Sequence, residues 1–165
     1  MLLSIEEVDG LDLDDLLARP NKKGQPGVRG PLVSAGRGLP LQSLANGDKL
    51  HIVATGDEHF VARKGPSDLL GYLVELGLSR EIHLKQIHLI AASTGANADN
   101  SFGARLNQVM GAAGYVADEI KAPMGPVRWD EARKIWVFFG GEWQPSSIAL
   151  NYYCGRGLSF KHQSG

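Results

Sequence analysis

A chain of 165 residues lies close to the commonest domain size and is long enough to bury a two- or three-layer core, so one domain is expected. Its formal net charge of -1 argues against a nucleic-acid or anionic-membrane partner recognised by bulk charge, and no apolar run nears the roughly 18 residues that span a bilayer. The single cysteine, Cys154, excludes an internal disulfide and any multi-cysteine metal site, while 21 glycines and 8 prolines indicate many tight connections.

From Met1 to Glu7 there is no basic region followed by a long apolar stretch, so the chain reads as soluble and without a Sec signal. Leu13, Leu16 and Leu17 share a helical register within Ile5 to Leu17. With Asp12 as N-cap and Pro20 as stop, they predict a short helix or docking arm. Pro20 to Pro31 cannot sustain a helix or a central strand, because proline removes donors and glycine adds backbone entropy. Despite Lys22, Lys23 and Arg29 it reads as a solvated linker rather than an anion site. A short strand fits Leu32 to Ser34, and Gly36-Arg37-Gly38 is too brief for a phosphate loop.

Asn46-Gly47-Asp48 is a turn signal, and Lys49 to Gly56 behind it reads as a buried strand ending in glycine. A polar loop with Asp57, Glu58 and His59 follows. Pro66 suits a first helical turn, and Leu69, Leu70, Leu73 and Leu76 recur at helical spacing until Gly77, which predicts an amphipathic helix. Gln86 to Ala91 is the second strand. Asn100 or Ser101 then caps a helix lined by Phe102, Leu106, Val109, Met110 and Ala113 and closed by Gly114. Strand, helix, strand, helix with connections of this length predicts parallel neighbours and right-handed crossovers, with helices covering the sheet. Ile120 to Ala122 is a third strand, and Val127 to Trp129 with Ile135 to Phe139 make a hairpin around Asp130 to Lys134. Gly140-Gly141 turns the chain toward Trp143, and the tail after Gly155 reads as loosely held. The expected fold is α/β, a three-layer αβα arrangement with a mainly parallel sheet and a C-terminal β-hairpin. Residues 1–38 form an N-terminal arm and Gly/Pro-rich loop, 39–140 the core, and 141–165 a C-terminal extension of the same domain.

Functional expectation centres on Ile87 to Gly95, where an apolar strand runs into small residues and a loop. In an α/β sheet, ligands bind in the crevice beyond the carboxyl ends of the strands. Gly47 to Gly56, a leucine-rich helix, Ile87 to Gly95, Ser101-Phe102 opening a helix, and Ala122 to Val127 together resemble the caspase-like cysteine peptidase domains of bacterial toxins and effectors, over roughly residues 39 to 140. In that family the first strand ends in a His-Gly pair and the second in an Ala-Cys or Gly-Cys pair followed by a small polar loop. Histidine and cysteine form the catalytic dyad. Gly56 matches the glycine, whereas Thr55 stands at the histidine position and Ala92 at the nucleophile position.

The dyad works because a thiolate attacks while an imidazole lowers the thiol pKa and later protonates the leaving group. Alanine does neither. Ala92 is therefore either an inactivating replacement or the mark of a natural pseudoenzyme, and the absence of histidine at position 55 favours the second. His59, four residues on, offers an imidazole at the same crevice. Ser93, with His59 and Asp57 or Glu58 as orienter, has the chemical types of a serine nucleophile system. The competing reading has the Ser93 and Thr94 hydroxyls satisfying loop backbone. His83 and His88 flank the second strand without a third ligand in reach by spacing, so no metal site is expected. Cys154 reads as a buried structural thiol, and Trp129, Trp136 and Trp143 as core and hairpin packing.

Three function classes remain. The resemblance implies a toxin or effector domain acting on a protein or peptide, held in the bacterial cytoplasm before secretion or injection without a Sec signal. A cognate immunity or secretion protein is a further partner it implies, with no cofactor, nucleic acid or membrane. The second class is a pseudoenzyme binding a peptide or partner protein in the old crevice. The third is an unrelated α/β anion-binding domain using the Ser93 to Ala96 loop.

Overall fold

The computed structural model describes residues 1–5, 28–29, 39–132, 134–154 and 157–159. The expected arm helix beyond Ile5, most of the Gly/Pro-rich loop, the Leu32 to Ser34 strand and Gly36 to Gly38 lie outside the described residues.

A mixed α/β architecture is present. Strands β1 (Leu2–Ser4), β2 (Val28–Arg29), β3 (Lys49–Val53), β4 (His83–Ile90), β5 (Val116–Pro123), β9 (Leu150–Cys154) and β10 (Gly157–Ser159) form one sheet in the order β10-β9-β5-β4-β3-β1-β2. The β2, β1, β3, β4 and β5 strands run parallel, and β9 and β10 each pair antiparallel with their neighbours. Val28–Arg29, inside the stretch read as a linker, is a two-residue edge strand, the place where a Gly/Pro-rich segment is tolerated in a sheet. A second sheet of three antiparallel strands, β6 (Val127–Trp129), β7 (Ile135–Phe139) and β8 (Glu142–Pro145), contains the expected hairpin and extends it by one strand.

Local chemistry explains the elements. Asp48 Oδ2 accepts the Ala45 amide at 2.8 Å, and Gly47, at φ +84°, lets the chain turn into β3. Helix α1 (Pro66–Glu75) opens on Pro66, and its Leu69, Leu70 and Leu73 are buried together with Leu76 just beyond it. Helix α2 (Phe102–Ala113) begins at Ser101, whose Oγ accepts the Ala104 amide at 3.1 Å, and stops at left-handed Gly114.

The two helices pack on each other and share one core with Leu3, Leu50, Ile52, Ile87, Leu89, Ile120 and Tyr153. On the opposite side, Val127, Trp129 and Ile135 of the small sheet pack on Val53 and Ile90. Among the described residues the large sheet is thus covered by helices on one face and, at its carboxyl end, by β6 and β7 on the other, where the expected three-layer αβα arrangement would put a second helical layer.

Candidate functional site

Strands β3 and β4 lie side by side in parallel register, Lys49 opposite Gln86 and Val53 opposite Ile90, so Thr55 and Ala92 leave the sheet at the same edge. This is the adjacency expected from the sequence. A Cβ on Gly56 would lie 2.9 Å from the Ala91 Cβ and 3.3 Å from the Ala92 carbonyl oxygen. Only glycine lets the two strand ends come this close.

The loop after β3 is a tight double turn. The Ala62 amide donates to the Thr55 carbonyl at 2.9 Å, the Asp57 amide to the Phe60 carbonyl at 2.9 Å, and fully buried Val61 pins the turn to the core. Asp57 Oδ1 accepts the amides of His59 at 2.7 Å and Phe60 at 2.8 Å, and these bonds hold its carboxyl below the usual carboxylate range. A hollow of about 520 Å³ opens here, lined by Thr55, Gly56, Asp57, Phe60 and Arg63, with the Phe60 side chain 50% exposed at its rim.

The loop after β4 is held from below. Ser93 donates its amide to the Gly125 carbonyl at 2.9 Å and Gly95 to the Pro123 carbonyl at 2.7 Å. The buried Thr94 hydroxyl donates to the Ala91 carbonyl at 3.0 Å, so it is committed to the loop backbone. Among the described residues, every non-glycine with positive φ lies in these two loops: Ala62, Arg63, Ser93, Asn97 and Ala98. Such conformations persist only where the surroundings over-determine them, and they gather at functional sites.

The imidazole of His59 is exposed, and its Nδ1 lies 3.4 Å from Nη2 of Arg105 on α2, which also donates to the Asn100 carbonyl at 2.9 Å. Glu58 accepts from Asn97 Nδ2 at 2.9 Å. Neither Asp57 nor Glu58 is bonded to the imidazole, and His59 makes no hydrogen bond to Ser93. The structure therefore brings Thr55, Gly56, Ala92 and Ser93 to one edge and turns His59 toward Arg105. Phe60, Arg63, Asn97 and Arg105 are additional residues of this edge. None of the four is singled out by the sequence, since their place at this edge depends on the turn of the loop and on the packing of α2.

Other candidates lie elsewhere. His51, His88 and Lys121 form one cross-strand row, with the His51 and His88 rings 5.5 Å apart. Burial is the largest cause of their depressed pKa values, about 4 for His51 and about 3 for His88, and the Lys121 charge adds to both. Among the described residues His88 Nε2 has no hydrogen-bond partner, and no group of three or more His, Cys, Asp or Glu side chains is gathered as a metal requires. His83 pairs with Asp118 at the far end of the sheet. Cys154 is a half-buried free thiol at the end of β9. Trp129, on β6, packs against Val53 and Ile90, whereas Trp143 and Trp136 lie under Arg128 and Lys134, at 4.4 and 4.8 Å.

No protein-family model matches this chain, and no curated protein matches it. Among the described residues no helix is long and apolar enough to cross a membrane.

Proposed function

We propose that the chain is a toxin or effector domain of the caspase-like type, resembling a cysteine peptidase but inactivated at both dyad positions. On this reading it engages a protein or peptide in the crevice beyond β3 and β4 without cleaving it. The observation that carries the reading is the convergence of Thr55-Gly56 and Ala91-Ala92 at adjacent parallel strand ends, with Gly56 fitting against Ala91 where a Cβ would be at 2.9 Å. A histidine and a cysteine at those positions would stand at one sheet edge on adjacent strand ends, while threonine and alanine there supply neither the base nor the thiolate of the dyad. The hollow at Phe60 and Arg63 gives an aromatic and a cationic contact for an extended chain.

The test is to restore the chemistry. Ala92→Cys alone is expected to alkylate with iodoacetamide at neutral pH no faster than Cys154 does. Adding Thr55→His should lower the new thiol's pKa below the free value of about 8.5 and raise its rate about tenfold or more. Rapid labelling of the single variant would show that another base, for which His59 is the candidate, serves the site, and that one replacement alone silenced it. Slow labelling of both variants would remove the peptidase-like reading and leave a binding module.

A further inference from the structure

We propose that Asn151 and Tyr153 of β9 are positioning residues that fix the shape of the 92–98 loop, and with it the direction position 92 faces, before any ligand arrives. The inference rests on the crevice being the functional site. Four observations carry it. Asn151 and Tyr153 are two apart on a strand and share a face, and both are buried. Beyond the strand ladder and the bond between the two side chains, their side-chain hydrogen bonds run to the connection between β4 and α2. Asn151 Nδ2 donates to the Gly95 carbonyl at 2.8 Å, the Tyr153 hydroxyl donates to the Ala98 carbonyl at 3.0 Å, and Tyr153 accepts from the Ser101 hydroxyl at 2.5 Å.

The third observation is steric. A Cβ on Gly95 would stand 2.3 Å from the Ala122 carbonyl oxygen, and one on Gly103 would stand 2.6 Å from the Tyr153 ring. Glycines at both positions let the loop and the first turn of α2 settle onto β5 and Tyr153. The fourth is the loop backbone itself, with Ser93, Asn97 and Ala98 at φ 58°, 72° and 42°. Non-glycine residues leave such conformations unless held, and the carbonyls of Gly95 and Ala98 are the points at which β9 holds the loop, beside the Ser93 and Gly95 amides held by Gly125 and Pro123. Packing alone does not require an amide and a hydroxyl at positions 151 and 153, since apolar side chains would fill the same volume. Their polar atoms serve the loop.

Hydrogen exchange on the full chain tests this. Tyr153→Phe keeps the ring and removes the hydroxyl, and Asn151→Ala removes the other pin. Each is expected to speed exchange of the Ser93, Gly95 and Ala96 amides about tenfold, the size of one lost buried hydrogen bond, while the Ile52 and Leu89 amides keep their rates. In the Thr55→His/Ala92→Cys background, Tyr153→Phe should also shift the pH midpoint of alkylation back toward about 8.5. Unchanged loop exchange in both variants, or a uniform rise across loop and core, would overturn the inference by making the residues idle or merely structural. Should the parent double variant already titrate like a free thiol, the crevice reading fails, and the exchange rates decide the inference without it.

Discussion

His51 and His88 show how two side chains can set the pH range in which this fold survives. Both are bases whose folded pKa values, about 4 and about 3, lie below the ordinary 6.5. Above about pH 6.5 neither folded nor unfolded chain protonates them, so they add no pH dependence. As pH falls below 6.5 the unfolded chain takes up protons that the folded one refuses. Stability drops until the pH reaches the folded values. At about 1.4 kcal/mol per unit the loss is on the order of a few kcal/mol per ring. The charge of Lys121 acts on both rings, and Lys49 and the amino terminus also act on His51, all in the direction that disfavours protonation. Urea denaturation at pH 7, 5.5 and 4.5 should show this fall, and His88→Leu should make it shallower. An identical slope in the variant would mean that other groups govern acid sensitivity. Gly56 makes a second residue-scale test. Gly56→Ala forces a Cβ to 2.9 Å from Ala91 and should cost about 1 to 3 kcal/mol in denaturation midpoint analysis.

Elements differ in how plainly the sequence announces them. Helix α1 is legible because proline, four leucines at helical spacing and a terminal glycine agree, and the structure buries all four leucines. The prediction is correspondingly sharp: Leu73→Ala should cost about 2 to 5 kcal/mol and Val74→Ala, whose side chain is 38% exposed, within about 0.5 kcal/mol, measured by urea titration. Equal effects would mean that the face assignment is mistaken. Strands β1, β9 and β10 are not legible in the same way. Two are three residues long, and in β9 both alternating positions are buried, so Leu150 to Cys154 shows no period-two pattern. The candidate site divides likewise. The strand ends, which are local signals, mark the edge where Gly56 and Ala92 lie, whereas Thr55 and Ala92 are singled out there only by the family resemblance. The His59–Arg105 and Glu58–Asn97 contacts join residues 46 and 39 apart, and only the tertiary fold brings those partners together.

At the scale of the molecule, the question is whether the small sheet is an appendage or part of one cooperative unit. Three ties bind it to the large sheet. Val127, Trp129 and Ile135 bury Val53 and Ile90 at the ends of β3 and β4, Ser93 donates to the Gly125 carbonyl just before β6, and β9 returns from β8 to pair with β5. The first two ties end at the crevice, so loosening the small sheet would loosen the 92–98 loop. All three tryptophans, Trp129, Trp136 and Trp143, sit in the small sheet, whereas among the described residues the α-helices are α1 and α2, against the large sheet. Two independent probes therefore report on the two halves. If the ties make a single unit, urea transitions followed by tryptophan fluorescence and by ellipticity at helical wavelengths will share one midpoint and one slope. An earlier fluorescence transition would mean that β6 to β8 melt alone. In that case the loop holding Ala92 and Ser93 should gain amide exchange at the same urea concentration, because the Gly125 carbonyl that fixes Ser93 would leave with the small sheet.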